Sequence, residues 1–121
     1  MELVSRAIEF ADDIGIRIIQ MSGYDAYYEP RSEATRQMFI ENLKKAAKMA
    51  AARGILLGFE TQMDSDHMDA VSKIMNYVDI VKSPYVNAYP DIGNLSLSKL
   101  QYGWDNITDD LKTGQGHIVA A

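Results

Sequence analysis

From Ile55 to Phe59 the chain is apolar apart from Gly58, and it then meets a carboxylate at Glu60. A second strand-like run, Tyr85 to Tyr89, is followed by Pro90 and another acid, Asp91. Short apolar runs of this kind predict strands of a parallel sheet, buried on both faces. Around them the apolar positions fall at helical spacing. Leu3, Ala7, Ile8, Ala11 and Ile14 predict a helix over Glu2 to Ile14, stopped by Gly15. Ile16 to Met21, rich in β-branched residues, predicts a strand. Ser32 is placed to cap a second helix, with Glu33 in its first turn. Met38, Leu43, Ala46, Ala47 and Ala50 mark the buried side of that helix, and Gly54 ends it. Met68, Val71, Ile74, Met75 and Val78 form a third helical stripe. Asn106 opens a fourth helix, closed by Gly114 and Gly116, and His117 to Ala121 begins a further strand. Ser22 to Pro30 and Thr61 to His67 read as loops, and Pro90 to Asn94 as a turn. Leu95 to Trp104 fits no single period.

The predicted order is αβαβαβαβ. The strand cores begin at Ile16, Ile55, Val86 and Ile118, so they are 39, 31 and 32 residues apart. Alternation on this scale gives right-handed crossovers and a parallel sheet. The fold class is therefore α/β, with parallel βα repeats. Four strands and four helices make about half of a (β/α)8 barrel, which typically takes ~250 residues. The expectation is that residues 1–121 form one partial domain, an internal piece of such a barrel. The alternative is a complete flavodoxin-like module that binds a ligand or partner without chemistry, which would want a fifth strand. In either architecture the carboxyl ends of the strands face the ligand crevice. Glu60 and Asp91 would stand there, placed to converge on one metal ion or one substrate. On spacing alone the plainer reading of Glu60 is a loop acid or helix cap, and that of Asp91 a turn starter.

Composition narrows the classes. The chain has 121 residues, 47% apolar and 24% charged, ordinary values for a globular domain. A net charge of -5 without a basic patch argues against a nucleic-acid partner. No apolar run approaches the ~20 residues of a membrane span. Cysteine is absent, which excludes disulfides and thiolate metal sites and fits a reducing compartment.

Several segments together resemble a known family. They are Asp12-Asp-Ile-Gly-Ile-Arg-Ile-Ile-Gln-Met-Ser-Gly-Tyr-Asp25, Glu33-Ala-Thr-Arg36, Gly58-Phe-Glu60, Met68-Asp-Ala-Val-Ser-Lys73 and Tyr89-Pro-Asp-Ile-Gly-Asn-Leu-Ser96. They are similar to the L-ribulose-5-phosphate and L-xylulose-5-phosphate 3-epimerases, also called hexulose-6-phosphate isomerases, within the xylose-isomerase-like TIM barrels. The octapeptide from Tyr89 to Ser96 is the most specific element. The resemblance implies an eight-stranded barrel with one divalent metal (Mn, Mg or Zn), held by a Glu, an Asp, a His and a second Glu at strand ends. Glu60 matches the first ligand and Asp91 the second. The resemblance puts the histidine beyond the Gly116-His-Ile-Val-Ala-Ala121 segment, and the second glutamate further on. Thr61 to His67 is about one residue longer than the family's loop, so no family role is carried onto Asp64, Asp66 or His67, and His67 is expected to cap or precede a helix.

The implied reaction removes the proton on a carbon next to a ketone and returns it on the other face. Two carboxylates on opposite faces suit that task, and a divalent metal stabilises the enediolate. By resemblance Glu60 is a metal ligand and one acid/base, Asp91 a ligand, and Asn94 a substrate contact. The substrate is a small sugar phosphate, which points to the cytoplasm. A half barrel would present two open sheet edges and an uncovered apolar inner face, so a homo-oligomer is expected. Having only two of the implied ligands, the chain is expected to be inactive alone. His117, at a strand start, is expected to be structural. Tyr24, Tyr27 and Tyr28 are candidates to line a sugar pocket or to roof the barrel, and Trp104 to pack.

Overall fold

A computed structural model describes residues 1–23, 30–62, 68–103 and 106–121 of the chain. The elements are α1 (Glu2–Asp13), β1 (Ile18–Met21), α2 (Glu33–Arg53), β2 (Leu56–Glu60), α3 (Val71–Val81), β3 (Val86–Tyr89), α4 (Ile92–Tyr102) and α5 (Ile107–Thr113). Ser32 caps α2 as expected. Its hydroxyl accepts the Thr35 amide at 3.1 Å, and Thr35 Oγ1 accepts the Ser32 amide at 2.9 Å. Gly54 closes α2 in the left-handed conformation, at φ 67°.

The three strands are parallel and lie in the order β1-β2-β3. Beyond β3, Ile118 makes a parallel bridge to Ala88, with Ala88 N–H donating to the His117 carbonyl at 2.8 Å. The helices form one layer, α1 against α2, α2 against α3 and α3 against α5. Sequential strand order with the helices on one side is the wall of a barrel. A flavodoxin-like sheet would place β2 outside β1 and cover both faces, so that alternative is not the arrangement adopted.

The core lies between sheet and helices. Phe59, Val86 and Ala88 point outward from the strands into it, among Ile40, Leu43, Ile74, Val78 and Leu95. Phe39 meets Phe59 and Tyr77 edge to face, at centroid distances of 6.0 and 5.4 Å. A second cluster ties α1 to α2 and β2 through Ile8, Ala11, Ala46, Ala50, Ile55 and Leu57. Alternation along the strands turns Ile18, Gln20, Leu56, Gly58, Glu60, Asn87 and Tyr89 to the other face. That inner face is mixed: Ile18 and Leu56 lie on it half-buried, beside Gln20, Glu60, Asn87 and Tyr89. Gly58 is there because nothing larger fits. A Cβ on it would lie 2.9 Å from Val119 Cγ2 and 3.1 Å from Tyr89 Cβ.

Other expectations need correction. β1 starts at Ile18, because the Ile16 amide folds back to the Ala11 carbonyl and keeps Ile16 out of the ladder. Met38 is 62% exposed, and Ile40 takes the buried place on α2. The segment Leu95 to Trp104 is helical to Tyr102, and α4 begins inside the expected turn, at Ile92. The chain thus has five helices among the described residues. The expected fourth strand is reduced to the single bridge at Ile118. α3 lacks a side-chain cap of its own. Asp110 of α5 supplies one, accepting the amides of Val71 and Ser72 at 2.8 and 3.1 Å.

Candidate functional site

The carboxyl ends of the three strands meet on one rim. β2 delivers Glu60 as its last residue, in register with Tyr89 of β3. Glu60 is half-buried, and its Oε2 accepts a hydrogen bond from Gln62 Nε2 at 2.7 Å. β1 runs out close behind it: a methyl group on Gly23 would lie 3.2 Å from the Glu60 carbonyl oxygen. β3 stops at Tyr89 because Pro90, buried and without an N–H, cannot extend the ladder. Asp91 comes next and is the N-cap of α4, its Oδ1 accepting the Asn94 amide at 2.8 Å. An aspartate suits this position, because it satisfies a free amide at the positive end of the helix.

Thr61 connects the two acids. It is fully buried. Its hydroxyl accepts the Asp91 amide at 2.9 Å and donates to the Asp91 carbonyl at 3.3 Å. Its own carbonyl accepts Asn94 Nδ2 at 2.9 Å. The structure thus brings Glu60, Asp91 and Asn94 together at adjacent strand ends. With one Nδ2 hydrogen committed to Thr61, Asn94 has its Oδ1 and a second Nδ2 hydrogen to offer a ligand.

No Lys, Arg or His of the described residues stands within ion-pair distance of Glu60 or Asp91, and among these residues Glu60 Oε1 and Asp91 Oδ2 accept no hydrogen bond. Two carboxylates with one oxygen each to spare are hard donors, and they fit a divalent cation such as Mg²⁺ or Mn²⁺. They do not complete its shell. Among the described residues no three His, Cys, Asp or Glu side chains form a group able to hold a metal.

His117 sits at the opposite end of the sheet, beside Pro84, Ser83 and Lys82, well away from this rim. Asp64, Asp66, His67, Tyr24, Tyr27, Tyr28 and Trp104 lie outside the described residues. Sequence reasoning passed over Thr61 and Gly23. A threonine after a strand carries no signal of its own, and its partner is thirty residues away in the chain.

The family model for xylose isomerase-like TIM barrels matches residues 1–121. The chain is similar to an L-ribulose-5-phosphate 3-epimerase from Shigella flexneri, at 42% identity over 121 residues, covering 99% of this chain and 40% of that protein. It spans about 40% of the length of the curated relatives it matches. A solved L-ribulose 3-epimerase superposes with a TM-score of 0.82 at 16% identity, over 97% of this chain and 39% of the other. A xylose isomerase-like TIM barrel protein from Mycobacterium smegmatis, in complex with magnesium, superposes with a TM-score of 0.64 at 21% identity, over 76% of this chain and 34% of the other. At such identities the solved structures speak for the fold alone.

Proposed function

The chain belongs to the xylose isomerase-like TIM barrel family, and from that premise we propose that the protein it represents is a metal-dependent sugar-phosphate 3-epimerase. The substrates are ketopentose phosphates of the L-ribulose and L-xylulose 5-phosphate type, met in the cytoplasm. One observation carries the reading: Glu60 and Asp91 stand on adjacent strand ends, each with a carboxylate oxygen unengaged by the described residues. The likeness to L-ribulose-5-phosphate 3-epimerases supports the choice of substrate class.

Glu60 and Asp91 would hold the cation, a Mn²⁺, Mg²⁺ or Zn²⁺ ion. When bound, it supplies positive charge beside the ketone and hydroxyl oxygens of the sugar and favours the enediolate. Glu60 removes or returns the proton on C3 from one face, and a second carboxylate serves the other face. Asn94 Oδ1 accepts a hydroxyl of the sugar and fixes its rotation about the reacting carbon. Gln62, donating to Glu60 Oε2, holds that carboxylate in one orientation. This chain supplies two of the four ligands the family pattern asks for, so alone it turns over no ketopentose phosphate.

The test is the interconversion of L-ribulose and L-xylulose 5-phosphate by the full-length protein, with and without Glu60→Gln. A fall in kcat/KM by about 10²–10⁴ is expected for loss of an acid/base group. Parent-level turnover in Glu60→Gln would refute the role given to Glu60, and steady turnover by the 121-residue chain would refute only the claim that it is inactive alone. Association of copies is part of the same proposal. It rests on the open sheet edges of a partial barrel and on the exposed apolar side chains Leu3, Phe10 and Ile14 along α1. Light scattering is expected to give a mass above that of one chain, and Phe10→Glu is expected to lower it.

A further inference from the structure

The backbone ladder that holds β2 to β3 ends one residue before it is needed. Its last pair is Glu60 with Tyr89. The next pair in register is Thr61 with Pro90, and proline has no amide to donate. Parallel strands freed of their ladder diverge, yet the acid that follows Pro90 must keep its distance from Glu60 if both are to hold one cation. Metal-ligand distances tolerate only about ±0.2 Å. The Thr61 hydroxyl spans this gap. It accepts the Asp91 amide at 2.9 Å and donates to the Asp91 carbonyl at 3.3 Å, so one side chain performs both halves of the missing ladder step. The Thr61 carbonyl meanwhile takes Asn94 Nδ2, in the first turn of α4. The hydroxyl is fully buried, so water cannot take over its two bonds.

We infer that Thr61 is a positioning residue, one that sets the separation of the Glu60 and Asp91 carboxylates and thereby the affinity of the pair for a divalent cation. It touches neither cation nor sugar in this role; it acts through the backbone of Asp91. The inference rests on the metal-site reading of Glu60 and Asp91 given above.

The test uses the full-length protein and Mn²⁺ alone, followed by electron paramagnetic resonance and calorimetry well below the melting temperature. Thr61→Val keeps the side-chain shape and removes both hydrogen bonds. Loss of a group that orients a ligand typically weakens metal binding 10- to 100-fold. A fall of that size in Thr61→Val, with recovery to near the parent value in Thr61→Ser, is the expected result. A merely structural threonine would lower Tm in Thr61→Val and leave the Mn²⁺ affinity of the folded protein unchanged, and that outcome overturns the inference while Glu60→Gln still abolishes binding. If the parent protein binds no Mn²⁺, or Glu60→Gln binds it as well as the parent, the metal-site reading fails and takes this inference with it. Amide hydrogen exchange of the parent protein needs no variant. The Asp91 amide is expected to exchange far more slowly than an exposed loop amide, and fast exchange there would show that the clamp does not form.

Discussion

The two ends of the sheet carry acids in contrasting company. At the amino ends of the strands, Asp12 is saturated. Its Oδ1 meets Arg17 at 3.0 Å and its Oδ2 meets Arg53 at 3.1 Å, and Arg17 also donates to the Arg53 carbonyl at 3.0 Å. Glu9 lies 3.9 Å from Arg53 on the outer side. At the carboxyl ends, Glu60 and Asp91 face no described cation at all and are steadied by neutral donors, an amide side chain and a backbone amide. The residue type is the same, and the counter-charge decides its use. An acid supplied with guanidinium groups ties α1, β1 and α2 together. An acid without them among the described residues, on a rim where strands end, has an oxygen to spare for the ligand proposed above.

The largest effect that would break this contrast is a failure of the rim to matter. In the full-length protein Asp91→Asn is expected to lower kcat/KM by more than tenfold with the fold retained, while Arg53→Ala at the other end leaves turnover at the parent level. Equal losses in both would mean that the acids at the two ends serve stability alike. The next effect sharpens the structural side. Asp110→Ala removes the shared cap on α3 and leaves two amides unsatisfied, costing about 1–2 kcal/mol. A thermal melt should register that cost as a Tm lower by several degrees. No change would mean that the cap contributes nothing to the packing of α5 on α3.

The smallest effect concerns pH. The Arg17 guanidinium, with Arg53 beside it, holds the Asp12 carboxyl below its ordinary value of 3.8. As pH falls the unfolded chain therefore takes up this proton first. The ion pairs stabilise the fold above the ordinary value, and their contribution is lost as pH drops through the lowered folded one. The effect is modest because the cluster lies at the surface. Asp12→Asn should narrow the difference in Tm between neutral and strongly acidic buffer. An unchanged difference would show that other carboxylates govern acid unfolding.

Much of this was legible from the order of residues. The helices α1 and α3, the Ser32 cap and the apolar runs of β2 and β3 are local patterns that need only one stretch of chain, though Leu3, Ala7 and Ile14 of the α1 stripe are exposed. Glu60 and Asp91 stood out because each follows such a run. Misreadings arose where two local signals compete. Pro90-Asp-Ile-Gly-Asn94 has the chemistry of a turn, yet Asp91 uses the same carboxylate to start a helix. Met38 falls on the apolar stripe of α2, but the sheet beneath is filled by Ile40 and Leu43, leaving Met38 outside. Thr61 and Asp110 were invisible for a different reason. Each acts on a segment thirty or more residues away, and their work appears only once the chain has folded back on itself.

Gly58 has a consequence for how tolerance to substitution should be read. It carries no chemistry, but Val119 and Tyr89 close over it from the neighbouring segments. Even alanine must displace Val119, which flanks the single bridge linking β3 to the end of the chain. In a saturation screen scored by growth, Gly58 would rank with Glu60, the one for want of space and the other for want of a carboxylate. Only activity normalised to the amount of folded protein would part them: the few Gly58 variants that fold should keep their rate, and the Glu60 variants should fold and lose it.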